Sequence, residues 1–117
     1  MKKRIAVAFT LALAPAAACA ETWMVVEGVD GKVKGSWTVN VAGPAINGAA
    51  AMKTERGMAV TYKVAGNAQG DNYVIQRIQP SDGVACTYVG KAAGPKAIKG
   101  TANCGRDNVR WTALRTN

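Results

Sequence analysis

The chain has 117 residues, 15 Lys and Arg against 7 Asp and Glu, and a formal net charge of +8. That length supports one domain with one modest core. The complete lack of histidine removes Ser-His-Asp and Cys-His nucleophile arrangements, the commonest general base near neutral pH and the usual zinc ligand.

Residues 1–20 have the build of a secretory signal peptide. Lys2, Lys3 and Arg4 precede an apolar run from Ile5 to Ala14. Pro15 ends the run, and Ala18-Cys19-Ala20 puts small residues where a signal peptidase reads. The run is too short to cross a bilayer as a helix. Cleavage after Ala20 would leave Glu21 to Asn117, one domain bound for the periplasm or the exterior. Three basic residues and no acidic ones depart with the segment, so the remaining net charge is +5. Cys86 and Cys104 then stay as a pair, which an oxidising compartment turns into a disulfide. Closing a loop of that size contributes roughly 3 kcal/mol in the chain-entropy model. Lipidation of Cys19 is the alternative, although Ala16-Ala17-Ala18-Cys19 lacks the usual Leu three positions before the cysteine.

After residue 20 no helical period is sustained, and period two takes over. Val33, Gly35, Trp37, Val39 and Val41 alternate with Lys32, Lys34, Ser36, Thr38 and Asn40, which describes a half-buried strand. Apolar faces also form from Ile46, Gly48, Ala50 and Met52, and from Met58, Val60, Tyr62 and Val64. Two more come from Ile98, Gly100, Ala102 and Cys104, and from Val109, Trp111 and Ala113. Turn signals separate the runs: Asp30-Gly31, Gly43-Pro44, Arg56-Gly57, the segment 66–72, Pro80-Ser81-Asp82-Gly83, Gly94-Pro95 and Gly105-Arg106-Asp107-Asn108. Eight strands follow, at about 22–28, 32–41, 45–55, 58–65, 73–79, 84–91, 96–104 and 109–116. Turns this short join antiparallel neighbours. The fold class is all-β, an up-and-down meander of short strands closing into a small barrel, with a β-sandwich as the alternative. Closure removes the two unpaired edges of an open meander.

Val33-Lys34-Gly35-Ser36, Ile46-Asn47-Gly48-Ala49 and Ile98-Lys99-Gly100-Thr101 repeat one pattern, which points a glycine inward early in each strand. Inward glycines belong where strands bend or something packs closely over them. A turn centred on Pro95 sets Gly90 opposite Gly100, Tyr88 opposite Ala102 and Cys86 opposite Cys104; a shift of one residue breaks that match.

Gly35-Ser36-Trp37, the recurrent apolar-x-Gly strand starts and the late Trp111 resemble the avidin-like and lipocalin-like small barrels over most of residues 22–116. The resemblance implies a ligand in the barrel mouth, gripped by tryptophans and polar groups. It transfers the architecture and no family binding residue, because no run of polar residues matches a biotin site.

Catalytic chemistry has little to work with. The disulfide consumes Cys86 and Cys104, and Ser36 and Ser81 sit in no nucleophile elbow. Asp30, Asp71, Asp82 and Asp107 fall in turns, where Asp bonds locally. Glu27 and Glu55 read as solvated charges near strand ends. No calcium or phosphate loop appears, so no metal or cofactor is expected. Trp23, Trp37 and Trp111 occupy inward or end-of-barrel positions, as core or as pocket walls. Lys32, Lys34, Lys91, Lys96 and Lys99 surround two turns and would attract anionic surfaces. Nucleic acid is disfavoured by export and by the lack of interleaved aromatics. The expectation is a non-enzymatic binding module for a small apolar or anionic ligand near Trp37 and Trp111, with Trp23 and Tyr88 as further contacts. The alternative is an envelope protein acting through its surface, as an inhibitor or accessory subunit.

Overall fold

A computed structural model describes residues 19–28 and 31–116. Eight strands follow one another: β1 (Cys19–Glu27), β2 (Val33–Ala42), β3 (Ala45–Thr54), β4 (Ala59–Gln69), β5 (Asn72–Ile78), β6 (Thr87–Ala92), β7 (Ala97–Cys104) and β8 (Asp107–Thr116). Each pairs antiparallel with its successor, and β8 pairs with β1 from Thr22–Thr116 to Glu27–Trp111. The sheet is a closed barrel rather than a sandwich. Most of the expected signal segment, and Asp30, lie outside the described residues; Cys19 and Ala20 begin β1, paired with Val41 and Asn40.

Several strand limits differ from the sequence-based expectation, β1 already starting at Cys19. Gly66 to Gln69 continue β4, where a long turn was expected. The connection to β5 is only Gly70-Asp71, with Gly70 at φ 63°, as a two-residue hairpin led by glycine requires. Val84 to Cys86 form the end of a loop, and β6 starts at Thr87. Arg77 and Asp82 organise that loop: Val84 N–H donates to Asp82 Oδ1 (3.0 Å) and Arg77 N–H to the Cys86 carbonyl (2.9 Å). Met58 stands ahead of β4 and is 65% exposed, so it does not join the inward face of Val60, Tyr62 and Val64.

The inward glycines mark where the sheet folds over itself. A Cβ on Gly48 would strike the Thr38 carbonyl and the Val39 backbone, and one on Gly100 would strike the Val89 carbonyl and Gly90. Gly35 and Gly66 meet the next strand in the same way. These are the bends that let a narrow sheet close. Gly90 serves a different need, since its Cβ would lie 2.9 Å from the Trp111 ring as well as against β7.

The interior is aromatic. Trp23, Trp37 and Trp111 are buried and stack in a row, with centroids 5.9 and 5.8 Å apart and interplanar angles of 20° and 17°. Tyr73 meets Trp23 edge-on, Tyr62 meets Trp37, and Tyr88 meets both Trp37 and Trp111. Val25, Val39, Ile46, Met52, Val64, Ile75 and Ile98 fill the spaces between. Among the described residues no helix is long and apolar enough to cross a membrane.

Candidate functional site

Alternation places every second side chain on the inner face of the barrel, and two of the charged ones there, Glu27 and Arg77, are buried. Glu27 follows Trp23 and Val25 on the inward face of β1, and Arg77 follows Tyr73 and Ile75 on that of β5. Closure brings the two together. Arg77 Nη2 lies 3.1 Å from Glu27 Oε1, with both side chains 6% exposed. Glu27 is therefore not a solvated strand-end charge: its parity carries it inward beneath a loop. Glu55, by contrast, is exposed in the turn after β3.

Taking two charges out of water is costly unless every lone pair and proton is used. Here they are. Tyr62 and Tyr88 hydroxyls both donate to Glu27 Oε2, at 2.7 and 2.9 Å. Trp37 Nε1–H donates to the Tyr62 oxygen (3.0 Å), and Arg77 Nη2 to the Tyr88 oxygen (3.0 Å). Arg77 Nη1 reaches the Val84 carbonyl (3.3 Å), and its guanidinium stacks 4.1 Å above the Tyr62 ring. No buried side-chain polar atom among the described residues lacks a partner. Burial, reinforced by the Glu27 charge, pushes the ionisation of Tyr62 and of Tyr88 above the ordinary tyrosine value of 10. Both remain donors to Glu27.

This network floors one mouth of the barrel. Above it is a cavity of about 390 Å³, in the size range of small-molecule sites. Val33, Val84, Val109 and the Cys86–Cys104 disulfide give it apolar walls, and Lys32 and Asp107 stand at its rim. The disulfide forms between the strands as the Pro95-centred turn requires, with Gly90 opposite Gly100 and Tyr88 opposite Ala102. Cys86 itself sits one residue before β6.

The opposite mouth carries a second ion pair. Arg115 Nε and Nη2 grip the two Glu21 carboxylate oxygens at 2.9 and 2.7 Å, and Trp23 Nε1–H donates to the same carboxylate (2.8 Å). The Arg115 hydrogen bonds hold the Glu21 carboxyl below its ordinary range, against the opposing effect of burial. Trp23, Ile46, Tyr73 and Arg115 line a cavity of about 310 Å³ there.

Of the four aromatic residues singled out from the sequence, only Trp23 lines a mouth cavity; the other three lie in the core. Trp37, Trp111 and Tyr88 are fully buried; Tyr88 bonds both members of the floor pair, and Trp37 stands one hydrogen bond behind it. Trp23 faces the other mouth. Sequence reasoning missed Glu27, Arg77, Tyr62, Glu21 and Arg115. The available signal was parity: each lies two or four residues from an inward aromatic on the same strand, or is one.

No protein-family model matches the chain, and no curated protein matches it in sequence. Among solved structures it is similar to two designed proteins. One is a redesigned β-barrel, mFAP1, bound to DFHBI, with a TM-score of 0.68 and 14% identity over 80% of this chain and 92% of that one. The other is a de novo designed fluorescence-activating β-barrel, with a TM-score of 0.68 and 16% identity over 81% of this chain and 91% of that one. Likeness at this identity establishes the fold, a small eight-stranded antiparallel barrel.

Proposed function

We propose that the protein is an exported, non-catalytic binding module, periplasmic or secreted after cleavage at Ala20, that takes a small apolar or anionic molecule at the mouth above Glu27 and Arg77. The observation that carries this reading is the buried ion pair at the floor of an apolar cavity. Replacing such a pair with apolar residues is often neutral or stabilising, so stability alone gives little reason to keep one at an open end of the barrel. A ligand whose apolar body rests on Val33, Val84, Val109 and the disulfide would present its polar group to Arg77 and Lys32. Tyr88 and Trp37, joined to the floor pair by hydrogen bonds, would sense it, with Trp111 packed behind them, and Trp23 serves the opposite mouth. The resemblance to avidin-like and lipocalin-like barrels supports a mouth ligand, as does a barrel of this fold described as bound to DFHBI. A surface-acting role draws its support from a different place, the outer wall, whose charged strand residues are all basic.

The test uses 8-anilinonaphthalene-1-sulfonate, an apolar aromatic anion, with decanoate as competitor. The expected result is saturable dye fluorescence, displaced by decanoate, and weakened about tenfold or more by Val84→Phe, which fills the mouth and keeps the backbone carbonyl that Arg77 bonds. Dye binding that ignores Val84→Phe, in a variant with unchanged circular dichroism, would rule the mouth out.

A further inference from the structure

The outer wall has a one-sided charge distribution. Outward-facing charged residues on the strands are Lys34, Lys53, Lys63, Lys91, Lys99 and Arg110. The strand carboxylates Glu21, Glu27 and Asp107 all occupy inward-facing positions, and Glu55, Asp71 and Asp82 lie in connections. None of the six basic residues takes part in a salt bridge among the described residues.

Register arranges four of them in a single row. Lys91 opposes Lys99, Lys99 opposes Thr112, Thr112 opposes Val26, Val26 opposes Lys34, and Lys34 opposes Lys53. Two of these steps set lysine directly against lysine, which destabilises a sheet. At the centre of the row Val26 on β1 opposes the half-buried Thr112 on β8, and the next pair of outward side chains along these strands is apolar. Leu114 and Met24 oppose each other, each 49% exposed, and Val26 beside them is 37% exposed. The face is thus an apolar strip on β8 and β1, flanked by Lys99 on β7 and Lys34 on β2.

We propose that this face docks the protein on the surface of an anionic lipid bilayer. Unneutralised lysines flanking exposed Met and Leu match an interface that is negatively charged at its headgroups and apolar just beneath them. An acidic polysaccharide would use the lysines and leave Met24 and Leu114 in water. Docking is on the surface, because the outer wall carries no continuous apolar band: the exposed Val74–Val89 pair on β5 and β6 stands apart, while Thr22 opposes Thr38 and Thr116, Asn40 opposes Asn47, and Asn103 opposes Asn108. A spanning barrel presents an apolar band there instead.

The experiment is vesicle co-sedimentation with the protein recovered from expressing cells, its N-terminus read by mass spectrometry and identical in every variant. Vesicles of phosphatidylcholine containing one-quarter phosphatidylglycerol are compared with phosphatidylcholine alone. Binding is expected on the anionic vesicles only. Lys34→Gln/Lys99→Gln should weaken it about tenfold or more and Met24→Ser/Leu114→Ser about fivefold. Lys63→Gln and Val74→Ser, which lie off the face, should stay within about twofold of the parent. The lysine double variant relieves like-charge repulsion, so its melting temperature should hold or rise, separating lost docking from lost folding. Three results would each overturn the proposal. One is absence of binding to anionic vesicles. A second is an equal loss in Lys63→Gln. The third is vesicle binding indifferent to Met24→Ser/Leu114→Ser alongside capture on dextran sulfate, which would point to an acidic polymer.

Discussion

Glu27 and Arg77 set the chemistry of the barrel's interior. Two full charges with almost no water contact persist because Tyr62, Tyr88 and Trp37 supply the missing hydrogen bonds. Removing one partner of such a pair typically costs about 3–5 kcal/mol, since the other is left charged and buried. The same network fixes how stability responds to alkali. Tyr62 and Tyr88 have folded-state ionisations raised above 10, so the folded protein keeps protons that the unfolded chain releases. Stability is therefore fully present below the unfolded tyrosine value and falls as pH rises above about 10. Of the three tyrosines, two should ionise only as the barrel unfolds. Tyrosinate absorbance and circular dichroism should then change in one cooperative step. Ionisation of all three in a protein that keeps its circular dichroism would contradict this account of the floor.

At the scale of the strand, glycines do what patterned apolar residues cannot. Gly35, Gly48, Gly66 and Gly100 sit where the neighbouring backbone crosses the space a side chain would fill. Gly48→Ala should destabilise the fold by about 3 kcal/mol, read as a lower urea midpoint with little change in slope. An alanine variant as stable as the parent would mean that the strands can shift apart there. The repeated apolar-x-Gly starts made Gly35, Gly48 and Gly100 legible in advance, because alternation fixes which face a residue takes. Gly66 was hidden by its neighbourhood: Ala65-Gly66-Asn67-Ala68-Gln69-Gly70 has the composition of a turn, and pairing with β5 decides that it is strand. Met58 erred the other way. Its period matched Val60 and Tyr62, but the hydrogen bonds between Thr54 and Met58 make it part of the hairpin turn.

For the whole molecule, legibility stops at contacts that depend on closure. Strand number, meander order, the inward tryptophans and the Cys86–Cys104 link all follow from local pattern and short-turn register. Glu27 and Arg77 are 50 residues apart in the chain, and they meet only because β8 returns to β1 and sets the curvature of the wall. The lysine row is hidden for the same reason, since it crosses six strands. Closure thus creates both candidate surfaces: an apolar mouth over a buried charge pair, and a basic outer face with an apolar centre. Amide chemical-shift mapping during titration with 8-anilinonaphthalene-1-sulfonate distinguishes the two mouths. Shifts should concentrate at Glu27, Gly28, Val33, Val84, Cys86 and Val109. Shifts concentrated instead at Val41, Ile46, Ala68 and Tyr73, around the opposite mouth, or no saturable shifts at all, would contradict binding at the mouth above Glu27 and Arg77.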